Sequence, residues 1–65
     1  MTWFQQQRMG WIAETLRVFG FINREHLMIK FGISKPQASS DLKAYQMAHP
    51  GTVEYDLSAK RYVKR

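Results

Sequence analysis

A mostly helical α+β fold is predicted, three helices followed by a two-stranded β-hairpin, and three observations carry that prediction. Gly20, Gly32 and the cluster His49-Pro50-Gly51 punctuate the chain. The three stretches delimited by these breaks carry apolar residues at helical period. Beyond the last break, Val53, Tyr55 and Leu57 alternate with Glu54 and Asp56, which is the period of a strand.

The first helix is expected from about Thr2 to Phe19. Thr2 followed by Gln5 has the spacing of a capping box, and Gly20 stands where a terminating glycine belongs. At about 100° per residue, Met9, Ile12, Leu16 and Phe19 fall on one stripe, the core face. Phe4, Trp11 and Val18 form a second stripe beside it, enlarged by Trp3. Gly10 is the weak point, since glycine in mid-helix costs about 1 kcal/mol relative to alanine.

The second helix begins at Asn23, a good N-cap, with Glu25 in the favourable first turn. Leu27, Met28 and Phe31 are its inward residues, and Gly32 ends it; Phe21 and Ile22, just ahead, belong to the core. Ser34 caps the third helix, Gln37 completes a second capping-box spacing, and Pro36 lies in the first turn, where its missing N–H costs nothing. Ala38, Leu42 and Tyr45 share its inner face. Past His49 the hairpin runs from Val53 through a turn at Ser58-Ala59-Lys60 into Arg61-Tyr62-Val63, with Tyr55 and Tyr62 covering the core. A short helix, a turn around Gly32-Ile33-Ser34 and a third helix make a helix-turn-helix, and the hairpin supplies its wing. Residues 1–65 are expected to form one winged helix-turn-helix domain.

Composition narrows the function. A 65-residue chain buries only about 60% of the surface it exposes when unfolded. It has no cysteine, and its two histidines have no companion at ligand spacing, so neither a disulfide, a metal site nor a cofactor is expected. No apolar run approaches the roughly 20 residues that span a bilayer and no signal peptide opens the chain, so no membrane partner and a cytoplasmic location are expected. A glycine-rich phosphate loop, paired carboxylates and an activated nucleophile are all missing, so the chain does not read as an enzyme, and no small-molecule ligand is implied. Ten Lys and Arg against five Asp and Glu give a net charge of +5, which points to a polyanion.

The outer face of the third helix fits duplex DNA, the alternative being an ordinary solvated face with capping residues. With Ala38 at the core, Pro36, Ser40, Lys43 and Met47 lie roughly opposite, and Gln37 and Ser39 lie on the flanks. That outward face is small, polar and basic, as a helix entering a major groove of duplex DNA must be. Gln37 suits a bidentate contact to adenine, Lys35 and Lys43 reach guanine or phosphate, and Ser39 and Ser40 let the backbone approach. Ser34 at a helix N-terminus and Arg24 at the head of the second helix are placed for phosphate. Lys60 and Arg61, at the hairpin tip, would form a basic wing. Asp41 lies off the DNA face and is expected to bond neighbouring backbone or an arginine such as Arg17 or Arg24. The alternative is a winged helix that docks protein, which would not need its lysines on one face. RNA is disfavoured because no exposed aromatic platform accompanies the basic residues.

Phe31-Gly32-Ile33-Ser34, Gln37-Ala38-Ser39, Asp41-Leu42, Tyr45-Gln46, Pro50, Tyr55-Asp56 and Lys60-Arg61-Tyr62-Val63, with Gly20-Phe21-Ile22-Asn23-Arg24 and His26-Leu27 upstream, together resemble one pattern. It is that of the N-terminal winged helix-turn-helix of bacterial transcriptional regulators carrying a WYL domain, over residues 8 to 63. The resemblance implies sequence-specific binding of double-stranded DNA and a repressor-like regulator; no WYL domain is present in these residues. Where that family often carries an arginine after the Ala-Ser pair, this chain has Ser40.

The second stripe of the first helix points to a homodimer; the alternative is that the C-terminal residues or the wing fold back over it, or that a further domain covers it. One stripe closes a three-helix core, so Trp3, Phe4, Trp11 and Val18 would otherwise stand in water. Pairing through them would present two recognition helices to a two-fold operator, with Gly10 allowing close backbone approach.

Overall fold

In a computed structural model that describes residues 2–65, each helix starts on a side-chain cap. Thr2 Oγ1 accepts from the Gln5 N–H at 3.1 Å at the head of α1, Trp3–Phe19. Asn23 Oδ1 accepts from the His26 N–H at the head of α2, Arg24–Phe31, and His26 Nδ1 accepts from the Asn23 N–H in return. Ser34 Oγ accepts from the Gln37 N–H at the head of α3, Lys35–Ala48. Gly20 and Gly32 end α1 and α2 with φ of 82° and 65°, left-handed values that glycine adopts without a Cβ clash. None of these helices is long and apolar enough to cross a membrane.

The strands are β1, Phe21–Ile22; β2, Val53–Asp56; and β3, Arg61–Lys64, in the sheet order β1-β3-β2. Both pairings are antiparallel: Ile22 faces Tyr62 across one, and Tyr55 faces Tyr62 across the other. The hairpin is therefore not a free two-stranded ribbon. A strand of only two residues shows no period of its own, so Phe21 and Ile22 read from sequence as core rather than as a strand. Pairing with β3 creates it, and the Lys64 N–H bonding the Gly20 carbonyl at 2.9 Å extends the ladder.

One core holds these layers together. Ile12 and Leu16 of α1, Ile22 of β1, Leu27 of α2, Ala38 and Leu42 of α3 and Val53 of β2 are all buried. Met9, Met28, Phe31, Tyr45 and Tyr62 pack around them. Burying such aliphatic side chains contributes roughly 1.5–3 kcal/mol each.

Five apolar expectations change. Phe21 is half-buried on the sheet face opposite Ile22 and lies outside the core, because successive residues of a strand point to opposite faces. Phe19 is 69% exposed, because the chain reverses at Gly20 and Ile22 takes the core position instead. Leu57 belongs to the turn and is exposed: Asp56 Oδ1 accepts from the Ala59 N–H three residues on, a side-chain bond that closes the turn and ends β2 at Asp56. Tyr55 is exposed and meets Tyr62 edge-on at 4.9 Å, so Tyr62 alone of the pair packs on the core. In the second stripe of α1, Trp11 is half-buried against Phe31 of α2, with the rings edge-to-face at 5.7 Å. Trp3, Phe4 and Val18 stay exposed, but the stripe they were to form is interrupted by a residue already packed in its own chain.

Candidate nucleic-acid interface

The head of α2, the middle of α3 and the hairpin enclose a cleft of about 220 Å³. Arg24, Ser39 and Lys60 line it, each from a different element, together with Tyr55 and Tyr62. These are three of the residues singled out from the sequence, and only the fold brings them together. Lys60 holds a left-handed φ of 56° at the end of the hairpin turn, a conformation that costs a non-glycine residue roughly 1–2 kcal/mol. Arg24 Nε lies 3.9 Å from Glu25 Oε1, with both side chains well exposed. Such a pair contributes about 0–1 kcal/mol, so the guanidinium is free to turn to another anion.

Beside the cleft, α3 turns its polar face outward. Lys35, Pro36, Gln37, Ser40, Lys43 and Met47 are exposed, as is the cap Ser34, while Ala38 and Leu42 are buried beneath. The helical angles read from sequence match this division, because one face of α3 packs on α1 and α2 and leaves the other to solvent.

Arg61 stands apart from this group. Antiparallel register puts Tyr55, Tyr62 and Ile22 on the sheet face toward the core, and Asp56, Arg61, Val63 and Phe21 on the other. There the Arg61 guanidinium lies 4.5 Å over the Phe21 ring, its Nε buried without a hydrogen-bond partner among the described residues. It is half-buried and opens β3 directly after the turn, with its side chain on the sheet face away from Tyr62.

Asp41 is 1% exposed beneath the outward face of α3. Neither Arg17 nor Arg24 reaches it: Arg17 pairs with Glu14 on α1, and Arg24 with Glu25. Its partner is Arg8, whose Nε donates to Oδ2 at 2.5 Å and Nη2 to Oδ1 at 3.3 Å. Gln37 Nε2 also donates to Oδ1, at 3.0 Å. Sequence reasoning missed Arg8; the one available signal was its position a turn before Ile12 on the core stripe of α1.

Over 60 residues the chain is 47% identical to the DNA-binding transcriptional repressor CapW of Escherichia coli (strain KTE188) and 43% identical to that of Pseudomonas aeruginosa. Over 61 residues it is 41% identical to that of Stenotrophomonas maltophilia. These alignments take in 92%, 92% and 94% of this chain, but the chain spans only 20% of the length of each relative. The family described as the BrxR transcriptional regulator winged helix-turn-helix domain matches residues 5–65. Its architecture agrees with the three capped helices and the strand pair behind them, and the chain belongs to this family of winged helix-turn-helix domains.

Proposed function

We propose that the chain is the duplex-DNA-binding part of a bacterial transcriptional repressor, and that it works in the cytoplasm. The observation that carries this reading is the convergence of Arg24, Ser39 and Lys60 on one cleft beside the exposed polar face of α3. The N-terminal half of α3 enters the major groove, where Gln37 meets a base edge and Lys35 and Lys43 meet guanine or phosphate. Pro36 and Ser40 bring no bulk to that surface, so the helix can approach closely. Ser34 holds phosphate at the head of the helix, and Arg24 and Lys60 together reach the backbone at the cleft beside it. Arg61 is reassigned to bracing the sheet. The names of the relatives, each a DNA-binding transcriptional repressor, support the same reading. A two-fold operator would be met by a homodimer, with Trp3, Phe4 and Val18 as the exposed apolar residues available to join two copies.

Binding to random and selected duplexes, titrated with salt, tests the proposal. The logarithm of the binding constant should fall linearly with that of salt concentration, and Lys60→Ala should flatten the slope by about 0.9. A chain that binds no duplex at low salt, while retaining its helical content, would favour the protein-docking alternative.

A further inference from the structure

We propose that Arg8 and Asp41 are positioning residues for base reading: together they fix which end of the Gln37 amide faces outward. The proposal rests on the DNA-binding reading and names the device that would give it specificity.

A glutamine amide has a donor end and an acceptor end, and either can face a base unless something inside the protein chooses. A carboxylate accepts and cannot donate, so Asp41 can only be satisfied by the nitrogen end. The contact of Gln37 Nε2 with Asp41 Oδ1 therefore turns the nitrogen inward along the helix. One N–H is used there. The second N–H and the carbonyl oxygen remain, and these are the two groups that a bidentate contact to the N7 and N6 of adenine requires.

Asp41 can choose only if it is held still itself. Arg8 does this from another helix, 33 residues away in sequence, with a two-pronged contact that engages both carboxylate oxygens. The carboxylate is buried and Arg8 nearly so, at 1% and 15% side-chain exposure, so water competes poorly for either. Gln37 itself is exposed on the outer surface of α3. A buried, fixed acceptor thus orients an exposed amide.

The test uses an operator selected from a random duplex library by the parent chain. Gln37→Ala identifies the position that Gln37 reads, where preference should fall about tenfold. Asp41→Asn can offer either amide end to Gln37, and Arg8→Lys keeps the charge but loses the fork. Each should lower the preference at that same position by roughly three- to tenfold, leave preferences elsewhere intact, and have no further effect in the Gln37→Ala background. The preference is a ratio of binding constants from one preparation, so a reduced folded fraction cancels. If Asp41→Asn does not fold, Arg8→Lys carries the test. Parental preference in Arg8→Lys, equal loss at every position, or no position relaxed by Gln37→Ala would overturn the positioning role while leaving DNA binding in place. A parent that binds no duplex would instead overturn the DNA-binding reading, and this proposal with it.

Discussion

Arg61 holds its guanidinium 4.5 Å above the ring of Phe21, joining β3 to β1 on the sheet face opposite Tyr62. Lys60, its neighbour in sequence, lines the cleft against α3 on the other side. Two adjacent basic residues thus have separable roles, one in cohesion and one in charge.

Their substitutions should part accordingly. Arg61→Ala should destabilise the fold by about 1 kcal/mol, the worth of a partly desolvated cation–π contact, and leave the salt slope of DNA binding unchanged. Lys60→Gly should do the reverse, relieving a left-handed backbone worth roughly 1 kcal/mol while removing one phosphate contact and about 0.9 from the slope. Thermal melts paired with salt-titrated binding would check both; a flattened slope in Arg61→Ala would return that residue to the interface.

Gly10 and Gly32 should respond to alanine with opposite signs. A Cβ at either position meets nothing within 4 Å, so packing does not decide the outcome. Gly10 lies inside α1, where alanine should add about 1 kcal/mol, or roughly 4–8 °C in the melting temperature. Gly32 has a φ of 65°, and alanine there should cost roughly 1–2 kcal/mol. Denaturant unfolding of the two variants separates conformational from steric effects.

Tyr62 predicts alkaline sensitivity. Burial, with the nearby Tyr55 adding to it, pushes the Tyr62 phenol above its ordinary value. The unfolded chain then releases that proton first, so the stabilisation is complete below about pH 10, the unfolded value, and is lost as pH rises from there through the folded value. Tyr62→Phe should remove this part of the decline, seen as a shallower loss of stability between neutral and strongly alkaline pH.

What the sequence discloses and what it hides divide along the range of the interactions. Thr2, Asn23 and Ser34 cap within three residues of themselves, and the period of α3 is local too, so helix limits and the outward set of Lys35, Ser40 and Lys43 were legible. The pairing of Phe21 with Val63 and the ion pair of Arg8 with Asp41 join residues far apart in the chain. No spacing rule reaches them. Arg61 falls between these cases: strand alternation opposes it to Tyr62, but which face is wet depends on β1, a strand too short to be seen. The cleft at Arg24, Ser39 and Lys60 was legible as residue types, and its assembly was not.

Trp11 and Phe4, expected to act together in one dimer seam, should separate experimentally. Trp11 sits edge-on against Phe31 within its own chain, and such aromatic pairs add about 0.5–1.5 kcal/mol beyond the area they bury. Trp11→Ala should therefore lower the melting temperature by several degrees at any protein concentration. Phe4 is 69% exposed and meets Trp3 edge-on at the start of α1, outside the core. Phe4→Glu should leave unimolecular stability nearly unchanged, since an acid in the first helical turn also suits the helix dipole. If two copies pair through this end of α1, that charge should abolish association, because burying it without a partner is strongly unfavourable. Sedimentation at micromolar concentration reads the difference. A parent that sediments as a monomer removes the α1 seam; a dimer that survives Phe4→Glu places its contact elsewhere.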